Sequence, residues 1–164
     1  MDNIISPQTA LYTAKLASFG PALFLGGYCL SFGQATVPSL YEVRPQISTK
    51  VYAHLHRAAG PILPTLALLS TGASAYLAYA IPSQRREWTT AAVAMFAIFP
   101  WNLLVMAKGI NRLVKISEDE KVARKSEQNL EHRQLLKRWV SQSYVMVALQ
   151  LFSGVTGLMT VLKA

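Results

Sequence analysis

Residues 88–107, WTTAAVAMFAIFPWNLLVMA, run for twenty positions without a formal charge. At about 1.5 Å rise per residue a helix of this length measures ~30 Å, the hydrocarbon thickness of a bilayer. The run therefore predicts a membrane span. Inside it, Pro100 lacks the backbone donor of an interior helical position, and Asn102 carries an amide that lipid cannot satisfy. Other parts of the chain must surround Asn102, and three further apolar runs are available to do so.

The predicted spans are 9–31, 61–81, 88–107 and 139–162. They make an all-α, transmembrane four-helix bundle, a single integral-membrane domain over 1–164, with a charged cytosolic helical hairpin between the third and fourth spans. Lys15 in the first span can snorkel to the interface, and Gly20, Gly26 and Gly27 allow a neighbouring helix to come close. The stretch after it, FGQATVPSLYEVRPQISTK, has Pro38 and Pro45 and reads as a loop with room for a short interfacial helix. Pro61 and Pro64 are tolerable in the opening turn of the second span, where Ser70, Thr71 and Ser74 share a face suited to small-residue packing. The fourth span turns Ser143, Gln150, Gly154 and Gly157 to one side. Between spans three and four, Glu120 and Arg124 are spaced to pair on a helix. Two helical extensions joined by a turn near 117–126 are expected there, with His132 on the solvent face.

Hydrophobic residues make up 52% of the 164, and they are gathered in long uncharged runs, which favours a membrane protein over a soluble bundle. The net charge of +8 raises nucleic acid as a partner, but the basic residues border apolar runs and mix with acids between Glu118 and Glu131. A lipid-facing rim explains them better, and no nucleic-acid partner is expected. Twelve of the 16 Lys and Arg fall in the first and third loops. The positive-inside rule then puts those loops in the cytosol and both termini in the lumen or exterior; in a eukaryotic cell the endoplasmic reticulum is the expected membrane. The N-terminus, MDNIISPQTALYTAK, has no early basic cluster and does not read as a cleaved signal. The single Cys29 rules out an internal disulfide and a CxxC pair, and reads as a packing residue.

The polar and aromatic residues of the spans gather at one depth. Tyr28, Ser31 and Gln34 end the first span, His54, His56 and Arg57 precede the second, Asn102 lies late in the third, and Trp139, Ser143 and Tyr144 open the fourth. Helix ends brought together there would enclose a hydrogen-bonding, aromatic pocket suited to a flat lipophilic substrate. His54 and His56 would diverge by ~160° on a helix, so the pair is a weak metal site and no metal is expected. There is no HExxH, no acid within a span and no glycine-rich nucleotide fingerprint, so no cofactor is expected. Each candidate also has an ordinary use, since Trp and Tyr populate interfacial belts and Asn102 can bridge two helices.

Four segments carry a family resemblance: GGYCLSFGQATVPSL with Ser31 and Pro38, RAAGPILPTLALLSTGASAYLAY, FPWNLL with Pro100 and Asn102, and Trp139 at the mouth of the last span. Across nearly the whole chain they resemble the anthrone oxygenase family of small four-span membrane proteins. The resemblance implies a tailoring enzyme of secondary-metabolite, polyketide-like biosynthesis that oxidises the central methylene of an anthrone with O₂ to give an anthraquinone, without flavin or haem. It implies a proton acceptor and an oxyanion donor. On this chain His56 takes the role of base, Asn102 that of oxyanion donor, and Tyr28 and Tyr144 those of hydroxyl partners. Trp101 and Trp139 would be stacking walls, with Ser31 and Ser143 also contacting substrate.

The resemblance stops at one place. The family's last helix tends to follow its Trp with a His or Asn and then an Arg, and those places here hold Ser143 and Met146. A cofactor-free cyclase or isomerase acting on a lipophilic intermediate therefore stays open, as does a non-catalytic scaffold working through the charged hairpin. A transporter is less favoured, because no acid or Arg within a span could couple ions. The expected partners are a lipophilic aromatic small molecule and membrane lipid, with a homo-oligomer left open.

Overall fold

The computed structural model describes residues 6–163, and among them every regular element is helical. In order these are α1 (Pro7–Ser31), a π-helical turn (Phe32–Thr36), a 3₁₀ turn (Pro38–Leu40), α2 (Pro45–Ala59) and α3 (Ile62–Ala80). There follow a 3₁₀ turn (Pro82–Gln84), α4 (Arg85–Phe96), α5 (Ile98–Trp101), a second π-helical turn (Asn102–Met106), α6 (Ala107–Glu118), α7 (Glu120–Gln128) and α8 (Glu131–Leu162). Taken across their irregularities, Gln8–Leu40, Pro45–Ala80, Pro82–Glu118 and Glu131–Leu162 are four stretches of 33, 36, 37 and 32 residues, long and apolar enough to cross a membrane. The chain is all-α and integral to the membrane. At about 1.5 Å per residue each stretch exceeds the ~30 Å of hydrocarbon, so polar or charged helical ends extend the apolar runs.

Two segments differ from expectation. The stretch after the first span is helical over most of its length, because its prolines start helices instead of preventing them. Pro38 opens the 3₁₀ turn and Pro45 opens α2, where a missing N–H costs nothing. The Thr49 hydroxyl then donates to the Pro45 carbonyl at 2.6 Å. In the charged stretch, α6 ends at Glu118, inside the expected window. The Asp119 carboxylate caps the next helix by accepting from the amides of Lys121 at 2.8 Å and Val122 at 3.3 Å. A second break follows at Leu130, whose φ of 52° is left-handed. The result is three helical pieces where two were expected. The start of the N-terminal stretch read as lacking a signal, residues 1–5, lies outside the described residues.

Internal contacts separate two compact units. The first comprises residues up to Gly27, Pro64–Ile98 and residues from Ala148 on. Here lengths of α1, α3, α4 and α8 pack through small residues. The Ser18 and Ser74 hydroxyls lie 2.6 Å apart, the Ser70 hydroxyl donates to the Ser18 carbonyl, and the Ser153 hydroxyl donates to the Ala91 carbonyl at 2.8 Å. A Cβ on Gly154 would meet Leu23 Cδ2 at 2.7 Å, and one on Gly26 would meet Leu151 Cδ2 at 2.6 Å. Lipid tails are as apolar as leucine, so these contacts, about 0.6 kcal/mol per interhelical hydrogen bond, carry the association. Ser70, Ser74, Gln150, Gly154 and Gly157 are all buried, as their shared faces predict. Gly20 and Gly27 have open space beside them, so Gly26 alone of the three makes the close approach in α1.

The second unit comprises Tyr28–Leu63 and Phe99–Val147. Val37, Leu40, Tyr52, Leu113 and Leu136 form its core, drawing α2, α6 and the first half of α8 together. Ion pairs set the register: Arg57 to Glu118 joins α2 to α6, Arg112 grips Glu131 at 2.7 and 2.9 Å to join α6 to α8, and Arg133 reaches Glu42 at 2.6 Å. His132 is not on a solvent face; it is 4% exposed. The left-handed Leu130 folds the chain so that the Ser126 hydroxyl accepts from the His132 amide at 3.0 Å, which turns this residue inward.

Candidate functional site

Both π-helical turns lie in the second unit. In the first, the Val37 amide donates to the Phe32 carbonyl at 3.0 Å, and in the second the Ala107 amide donates to the Asn102 carbonyl. The second has a local cause. Pro100 gives no donor and its ring crowds the carbonyl four residues back, so the helix breaks at Ala97 and re-forms with a wider turn. A π turn inserts one residue into the helical phase, and such turns recur at functional sites. Here Phe32, Asn102 and Met106, all members of the two turns, line one cavity.

The cavity measures about 80 Å³. Its other lining residues are Tyr28 and Cys29 from α1, Tyr52, Leu55, His56 and Ala59 from α2, Leu63, Ile110, and Trp139, Ser143 and Met146 from α8. The rings form a connected set. Tyr28 stacks on Phe32 with centroids 6.0 Å apart, and Phe32 meets Trp139 edge-on at 5.5 Å. Trp139 meets Tyr52 edge-on at 5.6 Å, and Tyr52 lies parallel to His56 at 6.0 Å. Edge-to-face and offset contacts of this kind hold rings in place beyond what their burial supplies.

No Lys, Arg, Asp or Glu is among the described lining residues. The polar groups are neutral: the Asn102 amide, the His56 imidazole, and the hydroxyls of Tyr28, Tyr52 and Ser143. Ser143 already donates to the Val140 carbonyl at 2.8 Å. Tyr52 is 0% exposed and its hydroxyl has no hydrogen-bond partner. An unsatisfied buried hydroxyl costs about 1–3 kcal/mol. The arrangement therefore sets neutral hydrogen-bonding groups among aromatic rings. At about 80 Å³ it lies below the roughly 300 Å³ of enclosed small-molecule sites. A three-ring molecule must displace wall side chains, and the unbranched Met106 and Met146 are the walls best able to yield.

Of the residues singled out from sequence, the structure brings Tyr28, His56, Asn102, Trp139 and Ser143 to this cavity, and leaves Ser31, Trp101 and Tyr144 off it. Ser31 is exposed. Trp101, next to Asn102 but rotated by one helical step, donates its indole N–H to the Gln142 carbonyl at 3.2 Å. Tyr144 is exposed and lies near Tyr41, whose phenol is pushed up by burial first and by Tyr144 second. On helix α2 the two histidines diverge, with His54 exposed and His56 half-buried at the cavity. Tyr52 and Phe32 escaped the sequence reading. The signal for Tyr52 was its position four residues before His56, which matters only once 45–59 is seen to be a helix.

A family model described as anthrone oxygenase matches residues 52–156, a stretch that takes in Tyr52, His56, Asn102, Trp139 and Ser143. No curated protein and no solved structure matches the chain. The family match covers well over half of the 164 residues and all four of the cavity's α2 residues, so the chain belongs to the anthrone oxygenase family.

Proposed function

We propose that this protein is a membrane-embedded tailoring enzyme of secondary-metabolite biosynthesis that oxidises an anthrone to an anthraquinone with O₂ as its co-substrate. The observation that carries the reading is the ring-walled cavity with neutral donors and no fixed charge. An anthrone enters edge first between the rings, displacing Met106 and Met146. His56 takes a proton from the central methylene, and the carbanion is delocalised onto the substrate's own carbonyl oxygen, where the Asn102 amide and the Tyr52 hydroxyl donate. The carbanion passes one electron to O₂, and the substrate radical and superoxide combine into a C–O bond. Protonation of the peroxide, then loss of the second methylene hydrogen as the O–O bond breaks, yields the new carbonyl and water. Anthrone and O₂ thus become anthraquinone and H₂O, and the substrate supplies every electron, so the scheme calls for no organic cofactor or metal. The distribution of Lys and Arg supports the 32–60 and 108–138 segments facing the cytosol and the termini facing the lumen or exterior, and in a eukaryotic cell the membrane would be that of the endoplasmic reticulum.

The test is purified full-length protein in detergent with an anthrone under air, followed by quinone formation and O₂ uptake. Quinone forming faster than in protein-free buffer is expected; equal rates would overturn the reading. One observation favours a second reading. Ser143 and Met146, at the places where the resemblance has a His or Asn and then an Arg, both line the cavity, so on this reading no arginine there holds an enolate or peroxide. A cofactor-free cyclase or isomerase needs neither, and its turnover would persist in the strict absence of O₂.

A further inference from the structure

A second concavity of the same unit has the opposite character. Along one helical face, Leu104 is followed by Lys108, Arg112 and Lys115 at spacings of three or four, and Leu135 and Arg138 of α8 face them across an open groove of about 750 Å³. Glu131, the one acid among its described lining residues, is held by Arg112 through two parallel bonds of 2.7 and 2.9 Å. That pair balances itself. Lys108, Lys115 and Arg138 are exposed, make no ion pair among the described residues, and leave the groove strongly positive. Just ahead of them, Leu103 and Leu104 are 71% and 82% exposed at the end of the third apolar run.

The face therefore passes from bare leucine to clustered cations where the hydrocarbon ends. That sequence of chemistries is complementary to a lipid whose acyl chains run into a negatively charged phosphate headgroup. We propose that this groove holds the headgroup of an anionic phospholipid, with its chains along Leu103 and Leu104. A choline headgroup would place its own cation among the lysines, so the site selects a net negative charge. No residue of the ring-walled cavity lines the groove, so this assignment stands or falls apart from the proposed reaction.

The test is native mass spectrometry of the full-length protein in detergent with phosphatidylserine and phosphatidylcholine in competition. Preferential retention of phosphatidylserine is expected, unaffected by inorganic phosphate. K108Q/K115Q/R138Q should weaken that preference on the order of 100-fold, at about fivefold per neutralised cation. The charge-keeping K108R/K115R/R138K should retain it, as should K121Q/R124Q/K125Q, which removes three cations from α7 outside the groove. Equal retention of the two lipids by the wild-type protein would overturn the proposal. So would displacement by inorganic phosphate, which would mark a free-anion site, or an equal loss when the α7 cations are neutralised.

Discussion

Tyr52 and His56 stand one turn apart on α2 with their rings within 4° of parallel and centroids 6.0 Å apart. Both residues line one cavity from a single rigid element, with the Tyr52 hydroxyl buried and without a hydrogen-bond partner. Two side chains held on neighbouring turns of one helix keep their separation when the surrounding walls shift. Precision of this kind is easier to maintain on a helix than on a loop.

Tyr52→Phe removes a buried hydroxyl that has no hydrogen-bond partner. Thermal unfolding should show the variant more stable by about 1 kcal/mol, because the unsatisfied group is gone. Anthrone turnover should fall by about 100-fold, the usual cost of deleting an oxyanion donor. Unchanged turnover would remove Tyr52 from the site.

His56→Ala should lower turnover by about 100-fold or more, as expected for loss of a general base. His54→Ala should leave it unchanged, because that side chain is exposed on the other side of α2. Steady-state assays of the two variants side by side settle the point, and matching losses would show that the histidines act together.

Trp101→Phe deletes the indole bond to the Gln142 carbonyl. We expect a stability loss of about 1 kcal/mol in a detergent melt, with kcat/KM unaltered. Asn102→Ala should do the reverse, melting near the wild type and turning over about 100-fold more slowly. An activity loss in the Trp101 variant comparable to that of Asn102→Ala would mean the substrate reaches beyond the cavity described.

Gly154→Ala would put a methyl 2.7 Å from Leu23 Cδ2 and 3.1 Å from the Leu23 backbone nitrogen. The backbone contact cannot yield as a side chain does, so a loss of about 1–3 kcal/mol is expected. Gly20→Ala meets nothing within 4 Å and should gain about 0.5 kcal/mol from helix propensity alone. Melting temperatures that move together would contradict the packing of α1 against α8.

Much of the site's depth was legible from residue types. Tyr28, His56, Asn102, Trp139 and Ser143 were chosen because they sit near the same ends of four apolar runs, and they do meet at one cavity. Trp101, Ser31 and Tyr144 were chosen on the same ground and do not. Depth is a property of position along a helix, whereas facing a cavity is a property of phase around it. One residue turns the side chain by about 100°, and each π turn adds a further offset that residue type does not announce. Reading 32–50 as a loop hid α2's start, and with it the wall that carries Tyr52.

From residues alone came the membrane, the helical class and the small-residue seams of α3 and α8. An uncharged run of this length in lipid has few solutions, since every backbone donor and acceptor must be met within the segment. Tertiary structure alone decided which ring faced which, that His132 turned inward, and that Tyr52 kept an unmet hydroxyl beside His56. Those outcomes depend on helical phase and on the neighbouring helix, and neither is written in the residues of one span.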